Sequence, residues 1–270
     1  MFHVHFPSGN LYPYIDSIVY SEYDPEHSVE RLIPDGTVNL IMELGDEPQH
    51  TFNNQDLSVK ETFKGGWISG IQQEYITISA KNTKGMVVVR FKPAGSYSVL
   101  HLPVDEIRNH VIDAELILGR EISRLREKIQ QQVSVNQKIL TIERWLRDRI
   151  NDQTVPEAVI HYAVSQAQMN PSMITIKQII DRCGYSHRHL IQLFKKHVGI
   201  APKPYHRILR FNKVLEKINA NVPLDWANLS AQCGYYDQAH FIKEFKQFSG
   251  FSPGSFLQER GEFINYVPLH

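Results

Sequence analysis

His187, Arg188, Gln192 and Lys195 fall on the outer face of one short amphipathic segment. Gln238, His240, Lys243 and Glu244 fall on the outer face of another, about fifty residues later. Arginine and lysine are fixed cations that only donate hydrogen bonds, and glutamine pairs a donor with an acceptor. Such side chains suit anions and hydrogen-bonding edges. Their surroundings are basic: residues 161–260 hold 13 Lys+Arg against 6 Asp+Glu, a balance of +7, with 6 of the 13 histidines. Residues 1–160 hold 16 against 22, a balance of −6, so the net charge of zero hides an acidic two-thirds joined to a basic third. This asymmetry directs the C-terminal part toward a polyanion.

Both faces sit on a repeated unit. Cys183-Gly184-Tyr185-Ser186, Leu190, Phe194-Lys195, Gly199, Pro202 and Tyr205 are answered by Cys233-Gly234-Tyr235-Tyr236, Phe241, Phe245-Lys246, Gly250, Pro253 and Phe256. One residue is inserted in the second copy after Tyr235. In each copy a short helix ends at a Cys-Gly-Tyr turn, since glycine takes the left-handed conformation that a sharp exit needs. Ser186 and Asp237 are then natural N-caps for a second helix. That helix buries Leu190, Leu193 and Phe194 in copy one, and Phe241, Phe245 and Phe248 in copy two. Helix, tight turn, helix is the helix-turn-helix arrangement. Between the copies, residues 202–219 predict a helix with an apolar face at Ile208, Leu209, Phe211, Leu215 and Ile218 and basic residues Lys203, Arg207, Arg210, Lys213 and Lys217. Its length is roughly 27 Å at 1.5 Å per residue. With the width of the two units added, it can hold both second helices in major-groove faces that repeat at about 34 Å.

Residues 157–260 resemble the DNA-binding domain of the AraC/XylS family of bacterial transcription regulators. The family's signature lies over Gly234-Tyr235-Tyr236-Asp237-Gln238-Ala239-His240-Phe241, Lys243, Phe245-Lys246 and Gly250-Phe251-Ser252-Pro253. The resemblance implies base-reading positions at Arg188, Ile191 and Gln192 in copy one, and at Gln238, Ala239, His240 and Lys243 in copy two. Arginine can fork onto guanine and glutamine onto adenine. Ser186, Lys195, Lys246 and Arg210 are the candidate phosphate contacts. Ile191 and Lys243 depart from the family, which often has a polar residue at the first position and usually Arg at the second. Isoleucine can touch a thymine methyl, whereas lysine lacks the bidentate fork.

The rest of the chain reads as α+β. Residues 15–20, 37–44, 67–71, 75–80 and 86–91 are short runs rich in β-branched or aromatic residues. Turn chemistry at Pro34-Asp35-Gly36, Gly45-Asp46, Gly65-Gly66 and Lys84-Gly85 separates them. They predict a β-barrel or sandwich, cupin-like, over residues 1–95. Helices follow within 103–150. Ala114, Leu118, Ile122, Leu125, Ile129 and Val133 form one apolar stripe, and Val135, Ile139, Ile142, Leu146 and Ile150 another. Two readings stand for them: a hairpin covering the β domain, or a homodimer contact through 114–150. The domains are thus 1–150, a linker at 151–156, an all-α domain at 157–260 with two helix-turn-helix units joined by a linker helix, and a tail at 261–270.

The N-terminal part resembles one subgroup of the same family through Arg31-Leu32-Ile33-Pro34-Asp35-Gly36 and Val89-Arg90-Phe91-Lys92-Pro93-Ala94-Gly95. In the wider family this region is a small-molecule sensor or dimerisation domain. Arg31, Glu43, Trp67 and Arg90 are the candidate ligand-binding residues, with salt bridging or packing as the plainer role for each. The rival reading is a cupin-like enzyme with an accessory DNA-binding domain. His3, His5, His27, His50 and His101 make no convincing ligand pattern, and no phosphate loop or nucleophile motif is evident. His187 and His189, two apart on one helix, point in different directions and suit no shared metal, so neither metal nor cofactor is expected. A repair protein with a reactive cysteine is disfavoured, because no cysteine precedes Cys183. Cys183 and Cys233 occupy matching points and read as inert packing residues. No run of about 18 apolar residues occurs, so no membrane span is expected. The start lacks a secretory pattern, which makes the cytoplasm and its nucleoid the expected location. The partners expected are double-stranded DNA, a small-molecule effector and, for an activator, RNA polymerase.

Overall fold

The computed structural model describes residues 1–150, 158–169, 171, 176–220 and 225–269. The expected linker at 151–156 and the expected opening of copy two at 223–224 lie outside them. Strands are β1 Phe2–His5, β2 Ile15–Tyr23, β3 Val29–Leu32, β4 Asn39–Glu43, β5 Gln49–Phe52, β6 Val59–Phe63, β7 Gly66–Ser69, β8 Ile76–Ser79, β9 Asn82–Phe91, β10 Val111–Asp113 and β11 Tyr266–Leu269. Helices are α1 Tyr97–Leu100, α2 Ala114–Leu118, α3 Glu121–Gln130, α4 Val135–Arg149, α5 Ala158–Met169, α6 Ile176–Arg182, α7 His187–Val198, α8 Pro202–Asn219, α9 Trp226–Gln232, α10 Gln238–Ser249 and α11 Pro253–Glu259.

The strands form two antiparallel sheets, in the orders β1-β2-β9-β4-β7-β10 and β11-β3-β8-β5-β6. The barrel alternative is therefore corrected: the sheets stay open, with edges at β1, β10, β11 and β6. Period-two alternation places the core. On β9, Val87, Val89 and Phe91 enter the main core, while Met86 and Val88 pack with Ile41, Phe63 and Trp67 in a second cluster. Lys84-Gly85, expected as a turn, runs inside β9 beside an irregularity in its pairing with β2.

The apolar stripe at 114–133 is not one helix. Gly119, at φ +62°, ends α2, and α3 restarts two residues later. Val133 is 96% exposed and falls outside the stripe. The remaining stripe residues, from Ala114 to Ile129 and from Ile139 to Leu146, are buried in the chain's own core, and α3 packs on α4. A Ser134–Gln137 capping box starts α4. The hairpin reading fits this burial. Leu116, Val133 and Leu140 remain exposed on the same segment.

The segment expected as a tail is a strand. β11 pairs with β3 from Tyr266↔Leu32 to Leu269↔Val29, and Val267 is fully buried. The C-terminal helices also pack directly on the β region. Asn212 Nδ2 donates to the Pro34 carbonyl at 3.1 Å, and Gln247 Nε2 donates to Glu74 at 3.1 Å. Gly199 comes so close that an added Cβ would sit 2.7 Å from Ile71.

Candidate nucleic-acid interface

Each copy of the repeat folds as two helices around a glycine turn. Gly184 (φ +71°) and Gly234 (φ +75°) supply the left-handed step. Ser186 Oγ accepts from the His189 amide at 3.3 Å, and Asp237 Oδ1 accepts from the His240 amide at 2.7 Å. Such caps contribute about 0.5–2 kcal/mol each. Gly199 and Gly250, both left-handed, terminate α7 and α10 after twelve residues each. Leu190, Leu193 and Phe194 bury the inner side of α7, and Phe241, Phe245 and Phe248 that of α10.

The eighteen-residue α8 fixes the two units to each other. Its Tyr205 ring meets Phe194 of copy one at 5.4 Å between centroids. Its Phe211 ring meets Phe245 and Phe248 of copy two at 5.1 and 5.0 Å. Each such fully buried side chain contributes on the order of 1.5–3 kcal/mol through burial, so α8 is anchored in both units.

The outer faces carry the predicted polar set. Arg188, Gln192, Gln238, Ala239, His240, Lys243 and Lys246 are exposed, and Ser186 is exposed beside its cap. Ile191 and Lys195 are half-buried. His187 Nε2 faces Asp181 at 3.1 Å, and His189 stacks on Tyr185 with ring centroids 5.3 Å apart. The two histidines thus turn to different partners. No group of three metal-ligating residues occurs among the described residues.

Two expectations on these helices are corrected. Glu244, expected outside, is 2% exposed and faces α8. Its Oε2 accepts from Arg207 Nε at 2.8 Å and its Oε1 from Arg210 Nη2 at 2.7 Å. Burial works to raise its pKa, but the hydrogen bonds from Arg210 and Arg207 outweigh it and hold the carboxyl below its usual range. Arg210, expected to meet phosphate, is turned inward. It also donates to the Gly234 carbonyl at 3.2 Å and lies 4.1 Å over the Tyr235 ring. An arginine whose fork is filled by a buried carboxylate is not free to grip a phosphate. Pairing the copies on Leu190 and Phe241 sets Glu244 opposite buried Leu193; that alignment was the available sign that Glu244 points inward.

Cys233 is buried and Cys183 half-buried; burial pushes both thiols up, in keeping with packing roles.

Glu43, Trp67 and Arg90 fall on one face of the first sheet, and Arg31 lies on β3 of the second. Arg31 lies beside the rings of Tyr75 and Phe251, at 4.6 and 4.3 Å. Arg90 pairs with Asp35 at 2.6 Å. Buried Glu43 accepts from the Gly45 amide at 3.0 Å, and burial raises its pKa. Trp67 packs on Phe63 at 5.8 Å. None of the four lines the cleft of about 170 Å³ between the sheets, whose walls include Thr51, Asn53, Asn54, Lys60, Glu61 and Gln72.

Two open sheets are thus followed by a pair of helix-turn-helix units held on one spacer helix. Residues 179–259 match the family described as helix-turn-helix domain. Residues 3–113 match a domain of unknown function, DUF6597. The raffinose operon transcriptional regulatory protein RafR of Pediococcus pentosaceus is 30% identical over 171 residues, covering 61% of this chain and 53% of RafR. The uncharacterized HTH-type transcriptional regulator YtdP of Bacillus subtilis is 22% identical over 250 residues, covering 84% of this chain and 32% of YtdP. The chain therefore spans about a third to a half of the length of these curated relatives. Among solved structures, apo ToxT from Vibrio cholerae aligns at 10% identity and TM-score 0.47, over 89% of this chain and 97% of that one. The C-terminal domain of AraT from Geobacillus stearothermophilus aligns at 21% identity and TM-score 0.37, over 40% of this chain and 92% of its own. No helix among the described residues is long and apolar enough to cross a membrane.

Proposed function

We propose that this chain is a sequence-specific transcription regulator that sets α7 and α10 into successive major grooves on one face of duplex DNA. The carrying observation is the pair of capped, equal-length helices held by α8 with their polar faces outward. Arg188, Ile191 and Gln192 read bases from α7. Gln238, Ala239, His240 and Lys243 read them from α10. Ser186, Lys195 and Lys246 hold phosphates; the serine hydroxyl, accepting at the cap, still has its own proton to donate. Because the faces differ, the site is asymmetric and one chain suffices to read it. The protein works in the cytoplasm at the nucleoid, and as an activator it would meet RNA polymerase.

In this reading the domain at 1–150 is the sensor, and the cleft between its sheets takes the effector. The cleft holds about 170 Å³. Selection of binding sites from random duplexes by the full chain tests the proposal. A consensus of about two helical turns supports it; recovery of no preferred sequence refutes it. A ligand-induced melting screen on the same protein tests the sensor.

A further inference from the structure

We infer that Glu244 is a positioning residue for sequence recognition: it sets the seat of α10 on α8 and thereby which bases the second copy reads. The inference rests on the DNA-reading function proposed above and adds a residue that does not itself touch DNA.

Glu244 directly follows Lys243 and lies one helical turn beyond His240, on the side of α10 that meets α8. Both of its oxygens are occupied by arginines of α8. Arg210 grips two parts of the unit at once, the Glu244 carboxylate and the Gly234 carbonyl in the turn. Arg207 likewise grips Glu244 and, through Nη2, Gln247 at 2.8 Å one turn further along. His240 Nε2 lies 3.6 Å from the same Glu244 oxygen, and its ring meets Tyr235 at 5.5 Å. The carboxylate therefore ties spacer, turn and reading face into one cluster.

Copy one holds Leu193 at the matching point, buried among hydrocarbon. Apolar packing is non-directional, so it tolerates small rotations and slides. Arginine–carboxylate hydrogen bonds have fixed directions and resist both. A buried ion pair adds little net stability over a hydrophobic pair; what it supplies here is geometry. A base-reading side chain needs that geometry, because its hydrogen bonds fail with small displacements.

The test uses the full chain and random duplexes about 30 base pairs long. Selection is run on the wild type, Glu244→Leu, Glu244→Gln and Lys243→Ala, the last marking which half of the consensus belongs to copy two. Glu244→Leu is expected to keep the Arg188 half intact while preference at the copy-two base pairs falls roughly tenfold, in the range of a mismatched pair. Glu244→Gln, which keeps one acceptor oxygen and nearly the same volume, is expected to retain an intermediate preference. A purely structural role would instead lower the melting temperature and weaken all sequences evenly. That result, or an unchanged two-part consensus in both Glu244 variants, overturns the inference. If the wild type itself selects no sequence, the DNA-reading proposal fails and this inference falls with it.

Discussion

The Phe251 ring lies 4.3 Å from the guanidinium carbon of Arg31, joining the loop after α10 to strand β3 of the N-terminal domain. The Arg31 guanidinium also lies 4.6 Å from the Tyr75 ring centre. A guanidinium beside two rings is held by cation–π attraction, worth about 0.5–2 kcal/mol for each contact. Arg31→Ala is therefore expected to destabilise the protein by roughly 1–3 kcal/mol in urea unfolding. Hydrogen exchange should rise at β11 and at residues 250–252. An unchanged exchange pattern there would show that Arg31 does not fasten the two domains.

Arg188→Ala is expected to cost about 1–3 kcal/mol in binding and to relax the preference at one base pair. Competition between the selected duplex and single-base variants measures this. An even loss across all sequences would reassign Arg188 to phosphate.

Lys246→Ala should weaken binding evenly and flatten the slope of log affinity against log salt by about 0.9, one released counterion. Titrations at four salt concentrations suffice. A change in base preference would contradict the phosphate assignment.

Glu30 supplies a pH dependence. Its side chain is buried 3.4 Å from His27, and burial raises its pKa to about 8. Between its ordinary value of 4.5 and about 8, the folded state keeps a proton that the unfolded chain has released. Stability contributed by Glu30 is thus full below about pH 4.5 and is lost progressively as pH rises to about 8. Glu30→Gln should remove that slope, with the variant gaining on the wild type toward pH 8. Equal slopes in the two proteins, by urea unfolding from pH 5 to pH 8, would place Glu30 in contact with water.

Phe211→Ala tests the spacer. Removing a ring packed on both Phe245 and Phe248 should cost on the order of 3–5 kcal/mol. Scanning calorimetry would register it as a lowered melting temperature of the C-terminal half.

The repeat was legible because its signals are local and reinforce one another. Ser186 and Asp237 cap, Gly184 and Gly234 turn, and Leu190 with Phe194 matches Phe241 with Phe245. Glu244 and Arg210 were not legible one at a time, since an acid beside Lys243 and a base on an amphipathic helix both read as solvated faces. Only their union in space satisfies each charge. In the N-terminal domain the apolar strands β2, β4 and β9 stood out. β5 and β6 escaped because Gln49, His50, Lys60 and Glu61 break the apolar signal, although Gln49 is buried. The stripe over α2 and α3 had the right spacing, but Gly119 interrupts it. β11 was hidden by Pro268, which argues against a strand; it is tolerated because β11 lies at a sheet edge.

That edge strand has a further consequence for the order of folding. Leu269 pairs with Val29 across about 240 residues of chain, among the longest closures the sequence permits. Contacts of such separation form late and slowly. The sheet of β3 therefore receives its outer member only after the helical segment between them has been synthesised. Until then β3 offers its unpaired amides and carbonyls to any passing strand, a period of vulnerability to misassembly that ends when the second domain delivers the missing piece of the first.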